Sequence, residues 1–172
     1  MIKKQTIEYI ETTQGYLNNA IDEIRKLSHQ LAPASFDDTS LQDIFEELLF
    51  TINLNNQYKT SLHFDDMNKM QVGDEIQINL FRILQEQTKN ILKYAEATTI
   101  DVSVTQSGNA VRMRIYDNGN GFDIKATGKG IGLSNIKKRA ESFEGKFILN
   151  SEPGKGCEIL VEIPLENNDR DF

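Results

Sequence analysis

Two runs that alternate apolar and polar residues, TTIDVSVTQ (98–106) and NAVRMRIYD (109–117), meet at the turn sequence Ser107-Gly108-Asn109. Period-two alternation buries one face and leaves the other wet, so the pair predicts an antiparallel hairpin. A second pair is legible in GKFILNSEPGKGCEILVEIPL (145–165), whose strands join through Pro-Gly-Lys-Gly. TSLHFDDM (60–67) alternates enough for a short further strand. Between these lie helical periods. One begins after Thr39, whose pairing with Gln42 predicts a capping box, and its apolar face is Leu41, Ile44, Phe45, Leu48, Leu49 and Ile52. The others are DEIQINLFRILQEQTKNILKYAEA (74–97) and GLSNIKKRAESF (132–143). Hairpins and helices that segregate in this way disfavour a doubly wound parallel sheet and predict an α+β fold, a two-layer α/β sandwich.

Residues 6 to 31 carry a different pattern. Ile10, Leu17, Ile21, Ile24 and Leu31 recur at alternating spacings of three and four, with Gln14 and Ser28 in the remaining seam positions, which predicts a protruding bundle or coiled-coil helix. Pro33 disfavours helix at Ala32, and a hinge is expected there. The expected division is a helical segment and hinge over 1–36, a main domain over 37–166, and a polar tail over 167–172 that frays. A formal net charge of −7 argues against a nucleic-acid surface. The single cysteine, Cys157, cannot form an internal disulfide, and no window reaches the length of an apolar membrane span. A cytoplasmic domain is expected, whose longer parent could be membrane-anchored.

Between the first hairpin and the last helix stands DNGNGFDIKATGKGIGLSNI, with glycines at 119, 121, 128, 130 and 132. Glycines ahead of a helix N-terminus free backbone N–H groups to converge on an anion, and the helix dipole adds positive potential. Lys129 would add a point charge. A Walker loop is excluded, because Asp123 and Leu149 stand where its first glycine would be. A dinucleotide fingerprint fails at Ile124 and Leu133. On the helix at 74–97, a step of about 100° per residue brings Glu86, Asn90 and Lys93 to one face, opposite Leu80, Leu84 and Ile91. The carboxamide of Asn90 is a hard-oxygen ligand suited to Mg²⁺ that bridges phosphates. Asp117, at a strand end, offers an acceptor for an exocyclic amine such as that of adenine.

QEQTKNILKYAEA resembles the N box of the GHKL ATPase and kinase superfamily, DNGNGFD its G1 box, GKGIGLSNI its G2 box and EPGKGCEILVEIPL its closing strand pair. Four motifs in order over roughly 80–165 make the resemblance specific, where any one alone is weak. Within the superfamily the chain is similar to the catalytic domain of sensor histidine kinases, and IRKLSHQLAP with the short lid between Phe122 and Gly128 is similar to the group that includes nitrate and membrane-fluidity sensors. The resemblance implies a mixed, largely antiparallel sheet covered on one face by helices, ATP or ADP with Mg²⁺ as ligands, homodimerisation through the N-terminal helix, and a response-regulator receiver domain as partner. It implies that Asn90 holds Mg²⁺, that Glu86 is the acid of the N box, that Lys93 approaches phosphate, and that Tyr94 is a further nucleotide-binding residue. Asp117 would accept from adenine, Gly119 and Gly121 would shape its pocket, Gly128, Gly130 and Gly132 would wrap the phosphates, and Lys129, Ile131 and Leu133 would be further nucleotide-binding residues. Two positions depart from the pattern: Lys89 replaces an asparagine, and Cys157 stands where a threonine or serine often helps hold a water at adenine.

A kinase of this kind needs a phosphoacceptor, and His29 and His63 are the candidates in the chain. His63 falls in a strand. His29 falls off the seam of the first helix, and the resemblance puts the acceptor on a helix upstream of Met1. Two further readings stay open: a serine kinase of the anti-sigma type, and a nucleotide-responsive dimerisation module without transfer.

Overall fold

The computed structural model describes residues 13, 40–54, 57–65, 72–125 and 130–165. Contacts divide the chain into two units, Met1–Ala34 and Ser35–Phe172, and the description below is of the second. The first-helix stripe, His29 and the hinge lie outside the described residues.

Helix α1 (Leu41–Ile52) starts one residue later than Thr39 and Gln42 predict. Ser40 is the N-cap. Its hydroxyl accepts from the Asp43 N–H at 3.1 Å, and the Asp43 carboxylate accepts in return from the Ser40 N–H. Both candidate caps are hydroxyl residues, and the carboxylate three positions after Ser40 is a stronger acceptor than the amide three positions after Thr39. The buried face is Leu41, Ile44, Phe45, Leu48 and Leu49. Phe45 meets Phe64 of strand β1 (Lys59–Phe64) edge to face at 5.3 Å.

Helix α2 (Asp74–Asn90) buries Ile76, Leu80, Phe81, Ile83 and Leu84 and then widens into a π turn over Ile91–Ala95. Strands β2 (Thr99–Gln106) and β3 (Ala110–Asp117) form the predicted hairpin around Gly108. Helix α3 (Ile131–Glu141) follows, then β4 (Lys146–Ser151) and β5 (Cys157–Pro164). The described strands form one sheet in the order β1-β2-β3-β5-β4, parallel between β1 and β2 and antiparallel elsewhere. Alternate residues of the three central strands, among them Ile100, Val102, Met113, Ile115, Ile159 and Val161, are buried beneath the helices. The other face carries half-exposed cross-strand pairs, Arg112 with Glu162 and Arg114 with Glu158. The Asn79 side chain donates to the Arg139 carbonyl at 2.9 Å and ties α2 to α3. This is the α+β sandwich predicted.

Candidate functional site

Asp117 ends β3 with its carboxylate buried at 1% exposure. Directly across the ladder is Cys157, the first residue of β5. The chain can turn sharply after Asp117 because its Oδ1 accepts from the Gly119 N–H at 3.0 Å, a local turn that aspartate favours. Neighbouring backbone then packs against the turn. A Cβ on Gly119 would lie 2.2 Å from the Ala95 carbonyl oxygen, and one on Gly121, at φ +58°, would lie 2.1 Å from the Glu152 carbonyl oxygen. These glycines are therefore set by close backbone approach. The Asn118 carboxamide locks the other flank, accepting from the Thr98 and Thr99 N–H groups at 2.9 and 2.8 Å.

Burial pushes the Asp117 carboxyl above its ordinary range, against the pull of the Gly119 and Cys157 backbone N–H groups. Burial, followed by the Asp117 charge, pushes the Cys157 thiol up to about 11. The pair thus presents a carboxylate acceptor beside a protonated thiol on an otherwise apolar sheet face.

The second part of the site lies at the end of α2. Asn90 and Glu86 converge on the first turn of α3, where a Cβ on Gly132 would lie 2.7 Å from Glu86 Oε1 and 3.0 Å from Asn90 Oδ1. Two hard oxygen donors, with Asn90 Nδ2 slightly farther off at 3.3 Å, thus line a gap that one methyl would overfill. That fits Mg²⁺, which takes few protein ligands and completes its shell from phosphate and water. Among the described residues, no group of three or more His, Cys, Asp and Glu side chains is placed to hold a metal by itself.

The π turn changes the face expected from a uniform 100° step, because the wider turn rotates each residue by less. Beyond Asn90 the exposed Lys93 lies over the ring of Tyr94, 5.1 Å from its centroid, and Tyr94 is itself 65% exposed. A hydrogen bond to Tyr94 raises the Lys93 ammonium above its ordinary value. The Ala95 carbonyl at the end of the π turn accepts from the Asn120 N–H at 2.7 Å, so the turn grips the loop after Asp117. Gly130 is the N-cap of α3 and would find open space around a Cβ, Ile131 is 82% exposed, and Leu133 is half-buried. Gly128 and Lys129 lie outside the described residues. His63 projects from β1, with Nε2 3.5 Å from Asp65.

Two site residues are not among the sequence-based candidates. Gln87 is 2% exposed, and its carboxamide donates to Cys157 Sγ at 3.9 Å and accepts from Asn90 Nδ2 at 3.3 Å. The signal for it is a polar residue one helical turn before Asn90. Ser151 accepts from the Phe122 N–H at 3.0 Å and donates to the Gly156 carbonyl at 2.9 Å, which pins the loop after Gly121 to the β4–β5 turn. That pairing is non-local and leaves no local signature.

Residues 75–167 match the family described as histidine kinase-, DNA gyrase B-, and HSP90-like ATPases. Among solved structures, the chain is similar to the histidine kinase domain of the blue-light activated histidine kinase EL346 from Erythrobacter litoralis, with a TM-score of 0.59 and 17% identity, over 78% of this chain and 65% of that one. It is similar to the Acinetobacter baumannii histidine kinase AdeS, with a TM-score of 0.60 and 17% identity, over 94% and 84%. A mycobacterial sensor histidine kinase, MprB, matches with a TM-score of 0.52 and 14% identity, over 71% and 92%. Against the longer EL346 chain, the match spans 42% of its length.

Proposed function

The chain belongs to the family of histidine kinase-, DNA gyrase B-, and HSP90-like ATPases, and from that premise we propose that it is the nucleotide-binding catalytic domain of a sensor histidine kinase. It binds ATP with Mg²⁺ and transfers the γ-phosphoryl to a histidine, for relay to an aspartate of a response-regulator receiver domain. The observation that carries this reading is the buried Asp117 carboxylate, joined through Cys157 and Gln87 to Asn90, Glu86 and Gly132.

The base end orients the nucleotide. With one oxygen of Asp117 held by Gly119 N–H, the carboxylate retains acceptor capacity for an exocyclic amine, and a guanine carbonyl at that place would meet like polarity. Gly119 and Gly121 let the loop close against Ala95 and Glu152, which shapes the wall of the base pocket. At the phosphate end, Asn90 and Glu86 face the start of α3, whose first N–H groups are free of intrahelical partners and suit anionic oxygens. Asn90 Oδ1 would hold Mg²⁺, with Glu86 beside it to order water; the ion, when bound, neutralises charge that builds on the phosphates during transfer. In the transfer, the bond from the γ-phosphorus to the bridging oxygen breaks, a bond to an imidazole nitrogen forms, and ADP leaves. The protein's part is positioning and charge neutralisation.

Gly128 and Lys129, with Gly130, Ile131 and Leu133, are proposed to border the phosphates, and Lys93 and Tyr94 the mouth of the site. Dimerisation through residues 1–36 and a cytoplasmic location belong to the same proposal. No helix among the described residues is long and apolar enough to cross a membrane.

The test is incubation with γ-labelled ATP and Mg²⁺ alongside a histidine-bearing dimerisation domain and a receiver domain. The proposal expects label that acid removes and alkali does not, as for a phosphorus–nitrogen bond, and its passage to the receiver. Acid-stable, alkali-labile label would indicate a hydroxyl acceptor and overturn the histidine assignment.

A further inference from the structure

The base end and the metal end of the site lie on different elements, and the side chain of Gln87 spans them. Asp117 and Cys157 belong to the sheet, whereas Asn90 and Glu86 belong to α2 and face α3. Gln87 sits on α2 one turn before Asn90, and its carboxamide is enclosed. A carboxamide has a polarity: its nitrogen donates and its oxygen accepts. Here the nitrogen donates to Cys157 Sγ and the oxygen accepts a hydrogen bond from Asn90 Nδ2.

Two consequences follow from that polarity. The thiol of Cys157 accepts from Gln87, and burial keeps it protonated at neutral pH. With its NH₂ donating to Gln87, Asn90 is held in the orientation that puts Oδ1 nearer the Gly132 position than Nδ2, 3.0 against 3.3 Å from a Cβ there, on the side where Glu86 Oε1 also lies. An amide free to flip would spend part of its time offering NH₂, which no cation accepts.

We infer that Gln87 is a positioning residue that fixes Asn90 Oδ1 toward the metal and couples that orientation to the thiol at the base end. This rests on the nucleotide reading above. It assigns a role to a residue that touches neither phosphate nor metal, and it explains why a polar side chain occupies an enclosed position on α2. A group of this kind, which orients a ligand without binding the metal, contributes roughly tenfold or more to metal affinity.

The test is calorimetric titration of the whole chain with ADP, in Mg²⁺ and in EDTA, for the wild type, Gln87→Met, Asn90→Ala and the double variant. Methionine keeps the length of the side chain and removes both hydrogen bonds. The readout is the Mg²⁺ gain, the ratio of ADP affinities with and without the ion. The expected result is a gain reduced roughly tenfold in Gln87→Met, with affinity in EDTA held within roughly twofold and no further reduction when Gln87→Met is added to Asn90→Ala. A variant that keeps the full gain overturns the inference and leaves the nucleotide reading standing. Equal losses with and without Mg²⁺ mean a packing role and also overturn it. A wild type that binds no ADP in either buffer overturns the nucleotide reading, and the inference with it. If Gln87→Met does not fold, Gln87→Asn, which keeps the amide but withdraws it by one methylene, is read against the same outcomes.

Discussion

Gly132 stands so close to Asn90 that a methyl group on it would lie 3.0 Å from Asn90 Oδ1, and 2.7 Å from Glu86 Oε1. The first turn of α3 thus meets the last turn of α2 with only a hydrogen on the Cα between them. This approach brings hard oxygen donors to a helix N-terminus, where phosphate is also welcome.

Gly132→Ala and Gly119→Ala should therefore behave oppositely. Gly132 is helical, and the one would-be neighbour closer than 3.0 Å is the end of the Glu86 side chain, which can swing aside, so alanine gains up to about 1 kcal/mol of helix propensity. Thermal unfolding is expected to leave Tm unchanged or raise it by about 1–3 °C, while the affinity for Mg²⁺·ADP falls roughly tenfold. At Gly119 the obstacle is the Ala95 carbonyl, 2.2 Å from the new Cβ. That backbone cannot step aside without opening the π turn, and a loss of about 1–3 kcal/mol is expected.

Asp117→Asn should stabilise the ligand-free protein. The Asp117 carboxyl is raised by burial, so its contribution to stability is fully present below the unfolded value near 3.8 and is lost as pH rises through the folded value. The variant should match the wild type at the acid end of that window. It should exceed it at pH 7, read as a higher Tm. A variant less stable than the wild type at pH 7 would contradict this.

Glu158 provides the opposite sign. Its carboxylate accepts from Asn150 Nδ2 at 3.0 Å and from Arg114 Nε at 2.5 Å, and these partners, Asn150 first, hold it below the ordinary range. Its stabilisation is present above the unfolded value near 4.5 and fades as pH falls through the folded value. Glu158→Gln should flatten that acid limb in a pH series of denaturant melts, by less than about 1 kcal/mol because the pair is half-exposed.

Cys157 is a single-site reporter, being the chain's one cysteine. With the thiol near 11, about one molecule in a thousand carries the thiolate at pH 8. Native protein should resist alkylation by iodoacetamide and react rapidly once denatured. Cys157→Ser, a stronger hydrogen-bond donor of the same shape, should tighten ADP binding roughly threefold. Equal or weaker binding would sink the idea that the thiol limits affinity.

What the sequence revealed depended on how local each interaction was. The hairpin at Ser107-Gly108-Asn109, the helix carrying Glu86 and Asn90, and Asp117 at a strand end follow from periodicity and turn residues within short windows, and the structure reproduces them. The sequence pattern places the cap one residue before Ser40, because Thr39 satisfies the same pattern with a weaker partner. The π turn at Ile91–Ala95 was invisible because it depends on how Ala95 meets Gly119 and Asn120, residues some 25 positions later. Gln87 looked like one more polar residue on a helix, since its partner Cys157 is 70 positions away.

The most direct test of the account is titration of the wild type and Asp117→Asn with ADP and GDP at pH 7 in Mg²⁺. An amide at 117 must keep its oxygen on the Gly119 N–H, so its NH₂ meets the adenine amine donor to donor. Saturable ADP binding, markedly weaker GDP binding, and a loss of roughly thirtyfold or more in ADP affinity for Asp117→Asn are expected. Equal affinity of the wild type for ADP and GDP, or an Asp117→Asn variant that binds ADP as the wild type does, would contradict it.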